Sequence, residues 1–251
     1  MSTATMQQGG VASTGSGTAA LEISDLQSWY GESHILHNVN LSVNKGEVVT
    51  LLGRNGAGRT TTLRAIMGLT GKRTGSIRIH GVESIGLPTH KIAHLGVGYC
   101  PEERGIFSSL STEENLLLPP MLADRGAAMS LEEIYEMFPN LLERRTSQGT
   151  RLSGGEQQML AVARILRTGA RLLLLDEISE GLAPVIVQAL ARMITTLKAK
   201  GYTIVMVEQN FRFAAPLADR FYVIEHGQVV ETIAAGDLNA RMPVLTELLG
   251  V

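Results

Sequence analysis

The stretch "EVVTLLGRNGAGRTTTLRAIMGL", Glu47 to Leu69, narrows the possible folds of this chain more than any other. An apolar run reads as a buried strand, a glycine-rich turn follows it without a spacer, and the residues after the turn have helical periodicity. A strand delivered through a tight turn into a helix is the repeating unit of a parallel α/β sheet. The turn, Gly53-Arg54-Asn55-Gly56-Ala57-Gly58-Arg59-Thr60-Thr61, also has the spacing of a phosphate-cradling loop, G-x-x-x-x-G-K-S/T, with Arg59 in the lysine place.

That spacing carries chemistry. Backbone N–H groups around Gly53, Gly56 and Gly58 can turn inward toward phosphate oxygens, and the following helix adds its positive N-terminal end. Thr60 is placed to offer its hydroxyl to a magnesium ion. A glycine turn that merely joins a strand to a helix would look similar, so the rest of the chain has to decide.

The remaining sequence alternates in kind. "LEISDLQSWY", "HILHNVNLSV", "GSIRIHG" and "VGYCPEE" read as strands, and helices are expected from Gly155 to about Arg167 and from near Ile186 to Lys198. "RLLLLDE" and "YTIVMVE" are further strands, and "RFYVIEHGQVVE" has the form of a hairpin. The unbroken leucines Leu172 to Leu175 suit a parallel strand buried on both faces. Between about Gly105 and Thr150 the texture becomes acidic and leucine-rich, with "STEENLLL" and "SLEEIYEMFPNLLERR" expected as amphipathic helices and "STEE" as a self-capping helix start. The small, polar residues 1–20 read as a disordered tail without the basic start and apolar centre of a secretion signal.

Two further elements bear on function. The leucine strand ends in Asp176 and Glu177, which places two carboxylates at the carboxyl end of a sheet strand, where open α/β sheets bind ligands. The first can hold a magnesium shell and the second can polarise an attacking water. One helix's length upstream stands "LSGGEQQ", Leu152 to Gln158. Glycine loop, "LSGGEQQ" and strand-end acids in this order resemble the ATP-binding cassette (ABC) ATPases from about Leu21 to the end of the chain.

The resemblance implies a P-loop NTPase (RecA-like) α/β core over 21–251, with an inserted helical subdomain at about 107–160. It implies ATP and Mg2+ as ligands, and contact of Ser153, Gly154 and Gly155 with the nucleotide on an opposite subunit, hence a head-to-tail dimer. Tyr30 matches the aromatic that stacks on adenine. Glu102 stands where the family usually has glutamine and Gln209 where it usually has histidine; "PEERGIF", "STEENL", "SEGLAPVIV" and "VEQN" are together similar to the ATPase subunits of branched-chain amino acid importers, the LivF type. That likeness implies permease transmembrane subunits, an identical or homologous second ATPase and, indirectly, an external solute-binding protein. It places the chain at the cytoplasmic face of the inner membrane. Gln209 can donate a hydrogen bond to a terminal phosphate but cannot titrate as histidine does. Glu102 can approach magnesium through oxygen. A urea or amide importer ATPase, or a nucleotide-gated subunit with little hydrolysis, remains open on the sequence.

Composition agrees with this class. A net charge of −2 gives no electrostatic reason to expect nucleic acid as a partner, and one cysteine among 251 residues excludes an internal disulfide. No run reaches the roughly 18 consecutive apolar residues of a membrane span.

Overall fold

The computed structural model describes residues 18–122 and 128–250, so the tail expected over residues 1–20 lies almost wholly outside the described residues. Strand β1 (Ala19–Tyr30) already includes Ala19 and Ala20, the last two residues of that expected tail. It pairs antiparallel with β2 (Ser33–Asn44), and the chain then enters β3 (Val48–Leu52), buried at every residue. After α1 (Arg59–Ile66) come β4 (Arg73–Ile79), β5 (Val82–Glu83), α2 (Thr89–Ala93) and β6 (Val97–Cys100).

Helices α3 (Thr112–Leu117), α4 (Leu131–Met137) and α5 (Pro139–Glu143) occupy the acidic, leucine-rich stretch. The single periodic segment "SLEEIYEMFPNLLERR" is thus two helices. Proline disfavours the helical conformation in the residue before it, and Phe138 adopts φ −131°, ψ 73°. Ser111 with Glu114, and Ser130 with Glu133, close reciprocal capping boxes that start α3 and α4.

The chain continues through α6 (Gly154–Arg167), β7 (Leu172–Asp176), α7 (Pro184–Ala199), β8 (Thr203–Val207) and α8 (Phe211–Ala214). It ends with β9 (Arg220–Glu225), β10 (Gln228–Ala234) and α9 (Leu238–Leu249).

Two sheets organise these elements. One has the order β2-β1-β4-β5, the other β10-β9-β3-β8-β7-β6. In the second, β3 lies parallel between β8 and β9, β7 lies parallel between β6 and β8, and only β10 runs antiparallel. Because successive side chains leave opposite faces of a strand, Leu172 and Leu174 join a core with α1 and the first sheet. Leu173 and Leu175 join a second core with α6 and α7. The all-leucine strand is the sequence's answer to being covered on both sides.

Candidate functional site

The site is built at the carboxyl ends of β3, β7 and β8. As β3 ends, Gly53 takes φ 155°, and a Cβ there would meet the Ile224 carbonyl oxygen at 2.3 Å. Gly58, at φ 110°, would drive a Cβ into Leu36 at 2.9 Å and Gly227 at 3.2 Å. These positions fix glycine by close approach, and they set the loop directly at the start of α1, whose first turn carries no side-chain cap.

The loop borders a cavity of about 440 Å³ that Tyr30, Asn55, Gly56, Ala57, Gly58, Arg59, Thr60, Thr61, Glu102, Glu177 and Gln209 line with Ile35. Residues from five separate parts of the sequence therefore meet in one concave space. Tyr30 stands at its exposed rim. Gly53 borders an adjoining recess, and Asp176 is fully buried behind the cavity wall. Ser153, Gly154 and Gly155 are not brought to this cavity; they open α6, where Ser153 and Glu156 close a capping box.

Arg59 is the most heavily tied residue of the site. Its side chain is 4% exposed, and Nη2 donates to Glu177 Oε1 at 2.9 Å and to Asn55 Oδ1 at 3.3 Å. Nη1 donates to the Glu208 carbonyl oxygen at 3.0 Å. Burial lowers the guanidinium pKa, opposed by the carboxylates of Glu177, Asp176, Glu208 and Glu102. From the other side, Gln209 Nε2 donates to Glu177 Oε2 at 2.9 Å, so both oxygens of Glu177 are held. Glu177 itself adopts φ 49°, a left-handed conformation that non-glycine residues seldom take.

Asp176 is anchored differently. Thr60 Oγ1 donates to its Oδ1 at 2.9 Å and Tyr99 OH to its Oδ2 at 3.1 Å. Burial raises its pKa, with these two hydrogen bonds opposing the shift. A hydroxyl and a carboxylate oxygen side by side, with the Glu102 carboxylate on the cavity wall, form an all-oxygen set that suits a hard cation such as Mg2+.

Several residues here escaped the sequence reading. Glu208, 2% exposed, accepts from Ser179 N–H at 3.2 Å and from Ser179 Oγ at 2.7 Å, and burial pushes its carboxyl up to about 7. Arg54 donates from Nε to the Leu248 carbonyl at 3.1 Å and from Nη2 to that of Glu247 at 3.2 Å, fastening the end of α9 to the glycine loop. Arg104 donates to Gln157 at 3.1 Å and Gln158 at 3.3 Å, joining the loop of Glu102 to α6. The signal for Glu208 was legible in principle: like Asp176, it is an acid at the end of an apolar strand. The His34 ring stacks on that of Trp29 at 4.2 Å and lies 3.9 Å from that of His37.

A glycine loop after β3, with carboxylates at the ends of the neighbouring parallel strands, defines the P-loop NTPase class. A protein-family profile described as ABC transporter matches residues 36–180. The high-affinity branched-chain amino acid transport ATP-binding protein BraG of Pseudomonas aeruginosa is 43% identical over 211 residues, spanning 84% of this chain and 91% of that protein. The lipopolysaccharide export system ATP-binding protein LptB of Haemophilus influenzae is 33% identical over 216 residues, spanning 84% of this chain and 89% of LptB. Among solved structures, an ATP-binding cassette dimer in a post-hydrolysis state with ADP and Pi has a TM-score of 0.75 and 25% identity, covering 86% of this chain and 98% of that one. The chain belongs to the ABC transporter family and is an ATPase, the ATP-binding subunit of such a transporter. No helix among the described residues is long and apolar enough to cross a membrane.

Proposed function

We propose that this chain binds and hydrolyses ATP to power import of branched-chain amino acids. It would do so as a peripheral subunit on the cytoplasmic face of the inner membrane, beside permease subunits and, indirectly, an external solute-binding protein. The observation that carries the hydrolytic part is the arrangement of Arg59, Glu177 and Gln209 around one cavity wall. The likeness to BraG, a branched-chain amino acid transport ATP-binding protein, supports the substrate class, since it exceeds the likeness to the export-system subunit LptB.

In this reading Tyr30 stacks on the adenine, and the amides from Gly53 to Thr61 hold the phosphates. Arg59 exchanges Glu177 for the outer phosphates, which keeps its charge compensated and frees the carboxylate. Glu177 accepts the proton of a water whose oxygen attacks the terminal phosphorus as the bond to ADP breaks. Gln209 aligns that water or the phosphate through its amide. Thr60, Asp176 and Glu102 would hold Mg2+, which when bound offsets phosphate charge. Ser153, Gly154 and Gly155, remote from this cavity, close the nucleotide site of a second ATPase in a head-to-tail dimer. The inserted helices, about 107–160, form the subdomain that passes closure on to the permease.

The test is leucine uptake into vesicles that contain this chain and the membrane proteins that co-purify with it. With Mg-ATP inside, uptake is expected, and Glu177→Gln should lower it by about a hundredfold or more. Uptake unchanged by Glu177→Gln would remove that residue from the mechanism; uptake of urea in place of leucine would overturn the substrate class.

A further inference from the structure

Directly after strand β8 stands a second acid, Glu208, that hydrolysis as described does not use. Glu208 is buried and is not among the residues that line the cavity. It accepts both the backbone N–H and the hydroxyl of Ser179, two residues beyond Glu177, while its own carbonyl accepts from Arg59.

The segment it grips is a constrained one. Glu177 N–H donates to the Val207 carbonyl at 2.9 Å, which prolongs the pairing of β7 with β8, and Ile178 is buried. Between these fixed points Glu177 has φ 49°. A non-glycine residue persists in that conformation only where its surroundings over-determine it. On one side the determinant is the β8 backbone; on the other it is the Glu208 carboxylate acting through Ser179.

We propose that Glu208 is a positioning residue for hydrolysis: through Ser179 it holds the turn after β7 so that the Glu177 carboxylate faces Arg59, Gln209 and the cavity. The proposal rests on the reading of Glu177 as general base. Loosening the Ser179 turn leaves the glycine loop intact, so ATP still binds, but the carboxylate is no longer fixed where the attacking water must lie.

Steady-state Mg-ATP hydrolysis, KM for ATP and melting temperature of the purified full-length chain test this, with Ser179→Ala, Glu208→Gln, their double variant and Glu177→Gln. Ser179→Ala is expected to lower kcat about tenfold, with KM close to the parent and a melting temperature lowered by only a few degrees. Glu208→Gln keeps one acceptor oxygen and should fall between the two. Because both substitutions break one linkage, the double variant should be no slower than the slower single variant. A merely structural role would lower the melting temperature and spare kcat. Parental kcat in both Ser179→Ala and Glu208→Gln, with Glu177→Gln idle, would overturn the positioning role alone. Parental kcat in Glu177→Gln would overturn the reading of the base and this inference with it.

Discussion

Adjacent parallel strands β7 and β8 end in the same way on paper, Asp176-Glu177 and Glu208-Gln209, and Asp176 pairs in register with Val207. In each, the first residue is buried and the second lines the cavity, where Gln209 bonds to Glu177. The buried acids differ in what they hold. Asp176 is bound to Thr60 of α1 and Tyr99 of β6, and so belongs to the phosphate side of the site. Glu208 is bound to the Ser179 turn, and so belongs to the loop that leads away from it. Acids at two strand ends thus have different partners, and on the proposed mechanism the partner decides whether the acid meets ligand or steadies the residue that does.

The contrast is broken most strongly by abolishing the titration of Glu208. Its folded pKa, about 7, lies above the ordinary 4.5, so the folded state binds the proton more tightly than the unfolded chain. That contribution is fully present below about pH 4.5 and is lost as pH rises through about 7. The difference corresponds to about 3 kcal/mol. Glu208→Gln should therefore flatten the fall in stability across this range, read by denaturant unfolding at a series of pH values. Asp176, also raised by burial, contributes in the same sense and keeps a residual slope in the variant. An unaltered pH slope would show that Glu208 does not titrate there.

A smaller effect sharpens the other half. Tyr99→Phe removes one of the two hydroxyl donors to Asp176 and leaves Thr60 in place. A loss of about 1 kcal/mol in unfolding free energy at neutral pH is expected. No loss would mean that Thr60 alone satisfies the buried carboxylate.

Much of the fold was legible because its signals are local. The strand, glycine loop and helix are contiguous, the capping residues of α3 sit within four positions in "STEE", and Leu172–Leu175 announce burial on both faces. The partition into two sheets was not legible: β1 joins β4 across the intervening β3 and α1, and alternation alone does not choose a pairing partner. The break at Phe138 was hidden by periodicity running through Pro139. The same limit governs the site. Residues of the loop and the strand ends stood in motifs, whereas Tyr99, Ser179 and the bond of Glu208 to Ser179 matter through strand register and turn geometry that no spacing in the chain expresses.

Arg59 concentrates the remaining question, because an arginine keeps the loop's positive charge but is longer, planar and forked where lysine is compact. It is paired with Glu177, and in the proposed mechanism it is both the cation for incoming phosphate and the partner the base must leave. The direct measurement is ATP affinity and steady-state hydrolysis for the parent, Arg59→Ala and Arg59→Lys. Arg59→Ala should weaken ATP binding by about a hundredfold, the loss of charge-assisted bonds to phosphate, while Arg59→Lys should bind like the parent and turn over as fast or faster. ATP bound as tightly by Arg59→Ala as by the parent would contradict a working phosphate site at this loop.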